Sequence, residues 1–323
     1  FIEKKEIYGI YAKNSDYYYL LRRTMLSNPL ALVFLFLYNR YFGERGMFMI
    51  HLVTDSCADL PDYLLRKYNI TVVPLSIRVN GKEYAEGVDI TPTEFYREME
   101  IASELPKTSQ PTPDQYAKTF QKLAESGEVL CLTVSSKLSG SYNSANLGKE
   151  IIGNSKVEVF DSLSCSLGQG LLVLKAAELI RSGHSLPTIM DELTKTRSEA
   201  KFVALLDTLE NLVKGGRLNY FQGSLGKLLN IKIILHIKQG SLEVLDKVRS
   251  RNKALEKFLE FIEAKCSDFS TRTVGITHFN NLAYAEAIAA IIKERHRPRE
   301  VIISEMGAAV STYGGRGAIV VAF

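Results

Sequence analysis

The chain has 323 residues, 46% of them hydrophobic, which is enough to bury a sizeable core and to fill two domains. Its formal charge of +4 is unevenly placed: residues 1–48 hold seven Lys and Arg against four Asp and Glu, so the remainder offers no phosphate-tracking surface for nucleic acid. The four cysteines, Cys57, Cys131, Cys165 and Cys266, form no CxxC pair and have no His at metal-ligand spacing, so neither a zinc site nor a disulfide framework is indicated and a cytoplasmic location fits best.

Residues 1–48 differ in composition from the rest of the chain and are expected to be a non-native or appended leader, with Met47 or Met49 as the natural start. Their apolar run from Pro29 to Tyr38 falls short of the ~20 residues that a helix needs to cross a bilayer. No small-residue cleavage site follows it.

From Met49 the pattern becomes regular. Residues 50–56 read as a short buried strand ending in small polar residues, and 71–79 as a second strand. Asn80-Gly81 is a two-residue hairpin signal that turns residues 82–85 back against it. Thr91-Pro92-Thr93-Glu94 and Thr112-Pro113-Asp114-Gln115 each place Thr at an N-cap, Pro at the first helical position and Glu or Gln three residues after the cap, so each opens a helix. Strand and helix then alternate: strand 128–133, helix 141–151, strand 156–161, helix 166–182, stopped by Gly183. This predicts an α/β domain with a parallel sheet over 49–184.

A second, α+β domain is expected over 185–323. It starts with a helix at Pro187 after the candidate cap Ser185 and continues through a strand at 201–206. A hairpin of 231–238 and 242–248 follows, then strands at 272–278, 301–305 and 318–323 around helices at 251–265 and 282–295. Such spacing predicts a mixed or largely antiparallel sheet.

Ligands of open α/β sheets collect beyond the carboxyl ends of the strands. Three polar segments fall there: Thr54-Asp55-Ser56-Cys57, Lys107-Thr108-Ser109-Gln110-Pro111, and the run from Ser135 to Ser141. The last joins a strand to a helix start, where hydroxyl donors and unpaired backbone N–H groups suit a carboxylate or phosphate. Ser and Thr are also ordinary caps and turn formers, so Ser139, Thr108 and Ser109 each have a purely structural reading. Lys214-Gly215-Gly216-Arg217 reads as a helix C-cap, with Arg217 either aimed at an anion or solvated. Ser311-Thr312-Tyr313-Gly314-Gly315-Arg316-Gly317 resembles a phosphate loop only superficially, lacking the Gly-Lys-Ser/Thr and the following helix. No HExxH, GxSxG or kinase signature is present, and His51, His184, His236, His278 and His296 have no triad context.

The ordered motifs Val53-Thr-Asp-Ser56, Lys107-Thr-Ser-Gln-Pro111, Ser135-Ser-Lys-Leu-Ser-Gly140, Leu206-Asp-Thr-Leu-Glu210, Lys214-Gly-Gly-Arg217 and Leu229-Asn-Ile-Lys232 resemble the DegV family over about residues 49–323. The resemblance implies a two-domain fold holding a long-chain fatty acid in an apolar tunnel between the domains. It further implies a non-catalytic binding subunit of a bacterial fatty-acid kinase, with no cofactor of its own. A separate kinase subunit phosphorylates the bound carboxyl group, and transient contact with acyltransferase machinery at the membrane is implied as well. Carried over, it places the carboxylate against Thr108 and Ser139, with Arg217 reaching from the second domain, Tyr313 beside them, and Ser109, Ser136 and Thr312 as secondary positions. Tyr313 stands where the family usually has His; a phenol donates a hydrogen bond but carries no positive charge near neutral pH. Gly315-Arg316-Gly317 replaces the usual Gly-Pro-Gly, and Cys57 replaces Ser or Thr. Two other readings stand beside this one: a regulatory module binding a small anionic metabolite, and an acyl or phosphoryl hydrolase with Ser139 as nucleophile, which needs a base that the sequence does not identify.

Overall fold

The computed structural model describes residues 49–218, 231–266 and 268–323. The expected leader 1–48, and Leu229 and Asn230 of the last motif, lie outside the described residues. The first half is built on a parallel sheet of β1 (Ile50–Asp55), β2 (Thr71–Val73), β6 (Glu128–Thr133) and β7 (Val157–Asp161), in the order β2-β1-β6-β7. Both faces are covered, so the strands read as nearly continuous apolar runs. On one face Val53, Val129 and Cys131 join Tyr116 and Phe120 of α3 (Pro113–Ala124) and Ala145 of α4 (Ser141–Ile152). On the other, Leu52, Leu130 and Leu132 meet α1 (Asp62–Tyr68) and α5 (Leu167–Arg181).

The hairpin at Asn80-Gly81 forms as the dipeptide dictates, with positive φ at both residues and Val79 opposite Lys82. Residues 71–79, expected as one strand, are two: β2 ends at Val73, and β3 (Ser76–Val79) pairs instead with β4 (Lys82–Ala85) and β5 (Lys107–Ser109) in a three-stranded antiparallel sheet. Pro74 has no N–H to continue a ladder, and the next amide, Leu75, donates to Ser56 Oγ at 3.0 Å. The capping boxes at Thr91 and Thr112 open α2 (Pro92–Ile101) and α3, with both reciprocal bonds present in each.

Helix α5 is buried on nearly every side. It separates the first sheet from the second, which runs β10-β9-β8-β13-β11-β12, where β8 is Phe202–Leu206, β9 Lys232–Lys238, β10 Ser241–Val248, β11 Thr273–His278, β12 Glu300–Glu305 and β13 Ile319–Ala322. Only β11 and β12 pair in parallel, so this sheet is mixed, as its strand spacing predicts. A helix α6 (Leu186–Glu199) lies between the two sheets in sequence but sends Leu186, Ile189 and Leu193 into the apolar cluster of α5.

Along β8 the side chains alternate. Val203 and Leu205 face α8 (Arg251–Lys265) and α9 (Leu282–His296), whereas Phe202, Ala204 and Leu206 face the first half of the chain. A short α7 (Glu210–Lys214) follows β8, and α10 (Ala308–Gly314) precedes β13. Residues 311–314, the start of the run read as a loop before the last strand, are thus helical. The amides of Gly307 and Ala309 donate to Asp59 Oδ1 at 2.9 Å and Glu86 Oε1 at 2.8 Å, carboxylates more than 200 positions earlier that hold the start of α10.

Candidate functional site

The inner faces of β8, β9 and β13 and the loops of the first half border an apolar cavity that is partly open to solvent. Its wall is apolar side chains and two thiols, among them Leu75, Val134, Phe202, Leu235, Leu242 and Met306. Among the described residues, the side chains in that wall bearing nitrogen or oxygen are Thr108, Ser139, Arg217 and Tyr313. All four are partly buried.

Each polar group is placed by a local device. Thr108 is the middle residue of β5, opposite Ile77 of β3. Its hydroxyl lies 2.7 Å from that of Tyr313, on α10. Two hydroxyls joined this way spend one hydrogen between them and leave the other for a third acceptor. Ser139 lies just before α4. Gly140 rather than Ser139 is the N-cap, and Ser139 Oγ accepts the Ser141 N–H at 3.3 Å and lies 3.0 Å from Ser141 Oγ. The Ser139 hydroxyl therefore sits at the positive end of a 12-residue helix.

Arg217 follows a Schellman motif. The N–H of Gly216 bonds Val213 O at 3.1 Å, and that of Arg217 bonds Leu212 O at 3.0 Å; Gly216 takes the left-handed φ of 72° that this ending requires. The guanidinium donates through Nε to Leu138 O at 3.3 Å and through Nη1 to Gly215 O at 2.5 Å, and its carbon stands 4.5 Å from the centre of the Tyr313 ring. Gly215 matters for a different reason: a Cβ there would fall 2.3 Å from Tyr313 Cε1. Leu138 precedes Ser139, so the guanidinium is tied to the hydroxyl loop of the first half.

The three secondary positions do not line this cavity. Ser109 and Ser136 are exposed, and the buried Thr312 hydroxyl donates to Ala308 O at 2.8 Å within α10. Thr54, Asp55 and Ser56 line a neighbouring cleft instead. Asp55 is fully buried; burial pushes its carboxyl up to about 6, against the pull of Gln169 and of the Val134 and Cys57 amides. Burial likewise pushes up the Cys57 and Cys165 thiols, keeping them neutral in the cavity wall. Sequence reasoning read Gly215 as part of a helix C-cap, which it is, but not its close approach to Tyr313, and it did not identify the residues of the apolar wall. Among the described residues no helix is long and apolar enough to cross a membrane, and no group of His, Cys, Asp and Glu is arranged to hold a metal ion.

An apolar cleft with three hydroxyls and one guanidinium at one side suits an amphiphile with an anionic end. Comparison with known proteins agrees with a shared architecture. The chain is 35% identical to a DegV domain-containing protein of Caldanaerobacter subterraneus, over 85% of this chain and 98% of that one. Its fold is similar to a fatty-acid-binding DegV family protein from Thermus thermophilus, with a TM-score of 0.78 and 32% identity over 85% of this chain and 99% of that one. DegV of Bacillus subtilis, a fatty acid binding protein, superposes with a TM-score of 0.78 and 30% identity, covering 85% of this chain and 98% of its own. The family model described as "Uncharacterised protein, DegV family" matches residues 49–323, and the chain belongs to the DegV family.

Proposed function

We propose that this protein binds a long-chain fatty acid in the apolar cavity and presents its carboxylate to a separate kinase subunit for acyl-phosphate formation, without catalysing the transfer itself. The observation that carries the reading is the composition of the wall: among the described residues, those bearing side-chain nitrogen or oxygen are the four that can clasp one carboxylate. Burying an acyl chain releases roughly 0.8 kcal/mol per CH₂, and an unpaired buried charge costs far more than any one methylene returns, so tail and head group must be satisfied together. Thr108 and Ser139 come from the first half of the chain, Arg217 and Tyr313 from the second. The reading therefore takes 49–184 and 185–323 as two domains that close over the lipid. In support of a carrier rather than a hydrolase, the partners of Ser139 Oγ are the hydroxyl and amide of Ser141, neither of them a base.

The test has two stages. Organic extraction of purified protein followed by mass spectrometry should yield a long-chain fatty acid at about one per chain. Protein, kinase subunit and ATP together should then form acyl-phosphate, while neither protein does so alone. Absence of any bound or bindable fatty acid overturns the first stage, and turnover by the isolated chain overturns the second.

A further inference from the structure

The loop after β6 carries Ser139, but its geometry is set at Ser135, whose backbone and hydroxyl groups are all engaged. Ser135 is fully buried. Its N–H donates to Ser164 O at 2.8 Å, and its carbonyl accepts the N–H groups of Leu138 and Ser139 at 2.9 and 3.0 Å. Its hydroxyl accepts the Lys137 N–H at 3.2 Å and donates to Gly240 O at 2.8 Å. That last bond spans 105 residues of sequence and reaches the tip of the β9–β10 hairpin.

The tip is shaped for this contact. Gln239 and Gly240 have φ of 50° and 84°, the left-handed pair of a two-residue hairpin turn. A Cβ on Gly240 would lie 2.6 Å from Ser135 Oγ and 3.0 Å from Leu163 Cδ2, so the turn approaches the loop as closely as a bare backbone allows. Beside the tip, Leu235 of β9 and Leu242 of β10 form part of the cavity wall. Among the described residues, strand β10 is the sheet edge, paired to β9 alone. Its register shifts between Val244 and Asp246, where a bulge interrupts the ladder. Beyond the bulge Asp246 is held by Lys257 at 2.6 Å. The ladder to β8 thus holds β9 at residues 233–236, whereas the outer strand β10 is held toward its base by an ion pair and the tip by one hydroxyl, with an irregularity between.

We propose that Ser135 is a positioning residue of the acid-binding site: its hydroxyl bond to Gly240 holds the hairpin wall against the loop that presents Ser139. Release of the tip then opens the apolar wall and unsettles the head-group hydroxyl in a single event. This rests on the fatty-acid reading of the cavity, and Ser135 acts through Gly240 and Ser139 without touching the lipid.

The experiment is stopped-flow exchange of a fluorescent long-chain fatty acid on the full chain. Ser135→Ala leaves the Gly240 carbonyl without its partner, and dissociation should quicken about tenfold. Association should quicken as well, because the wall opens more often; loss of a direct ligand contact, or a purely structural defect, leaves association unchanged or slower. Ser135→Cys keeps the volume and a weaker donor, falls between the two, and serves where the alanine variant does not fold. Dissociation within twofold of wild type in a folded variant, or association that slows, overturns the proposal. Hydrogen exchange of the fatty-acid-free proteins separates this outcome from failure of the functional reading. If the wild type takes up no fatty acid, faster exchange at 136–140 and 237–243 together still supports the Ser135 link, and faster exchange in only one segment, or in neither, refutes it.

Discussion

Replacing Gly215 by Ala tests whether the position of the Tyr313 ring matters for binding. Gly215 has φ −80° and ψ −9°, a conformation open to any residue, so alanine meets no backbone strain. Its Cβ would stand 2.3 and 2.6 Å from Tyr313 Cε1 and Cδ1, and the ring must retreat by about 1 Å to reach an ordinary carbon–carbon contact. That displacement opens the 2.7 Å bond from Tyr313 to Thr108 and lifts the ring off the guanidinium of Arg217. The hydroxyl bond is worth about 1 kcal/mol and the cation–π contact about as much, so acid binding should weaken by about 2 kcal/mol, roughly 30-fold. Titration with a fluorescent fatty acid reads the affinity, and urea unfolding in parallel reads stability, which should fall by no more than about 2 kcal/mol because the same two contacts exist in the ligand-free fold. Gly216→Ala is the matched control: at φ 72° with nothing within 4 Å, it costs stability without reaching the ring. If Gly215→Ala binds within about threefold of wild type, or if Gly216→Ala proves the more damaging to affinity, the ring has no part in holding the acid.

Ser139→Ala and Arg217→Ala each remove a donor to a charged group and should weaken fatty-acid binding about tenfold to 100-fold, with unfolding midpoints near wild type because both side chains are only partly buried. Equal binding by both variants would overturn the site. Thr112→Ala deletes the N-cap of α3, whose apolar face joins a cluster that shares no residue with the cavity wall. It should cost about 1 kcal/mol in urea unfolding and leave fatty-acid affinity unchanged. The fully buried Asp55 has a carboxyl raised to about 6, above the ordinary 3.8, so the folded chain holds a proton there that the unfolded chain has already lost. Its contribution is present below about pH 4 and disappears as pH rises through about 6. His278 opposes it in that window, since burial lowers its pKa. Unfolding free energies of wild type and Asp55→Asn, compared at pH 4 to 7, should therefore differ in slope between pH 4 and 6, wild type falling more steeply with rising pH. Parallel curves would show that Asp55 does not titrate there.

Much of the fold is local and was open to sequence reasoning. Thr91 and Thr112 each find their capping partner three residues on, Asn80-Gly81 turns its own hairpin, and the short run of β1 ending in small polar residues reads as a buried strand. The hydroxyls and guanidinium of the site were visible for the same reason. Ser139 and Arg217 each sit at a helix end that neighbouring residues specify, whereas Thr108, legible beside Pro111, lies in a strand fixed by its pairing with β3. What stayed hidden depends on distant partners. Helix α10 starts where Asp59 and Glu86 meet its amides, and no window of residues around Gly307 contains either carboxylate. Nor does anything in the run from Ser135 to Ser141 indicate that Gly240 will lie against it.

The cavity is the clearest case. Phe202, Leu235, Leu242 and Met306 carry the same apolar signature as Val203, Ile234 and Val321, which close on one another in a solid core. Hydrophobic patterning tells which side chains leave water; whether the surfaces they form then meet or stay apart is a property of how sheets and helices stack. Local chemistry therefore determined the grips for an acidic head group, and only the packing of the two halves decided that a space lies beside them.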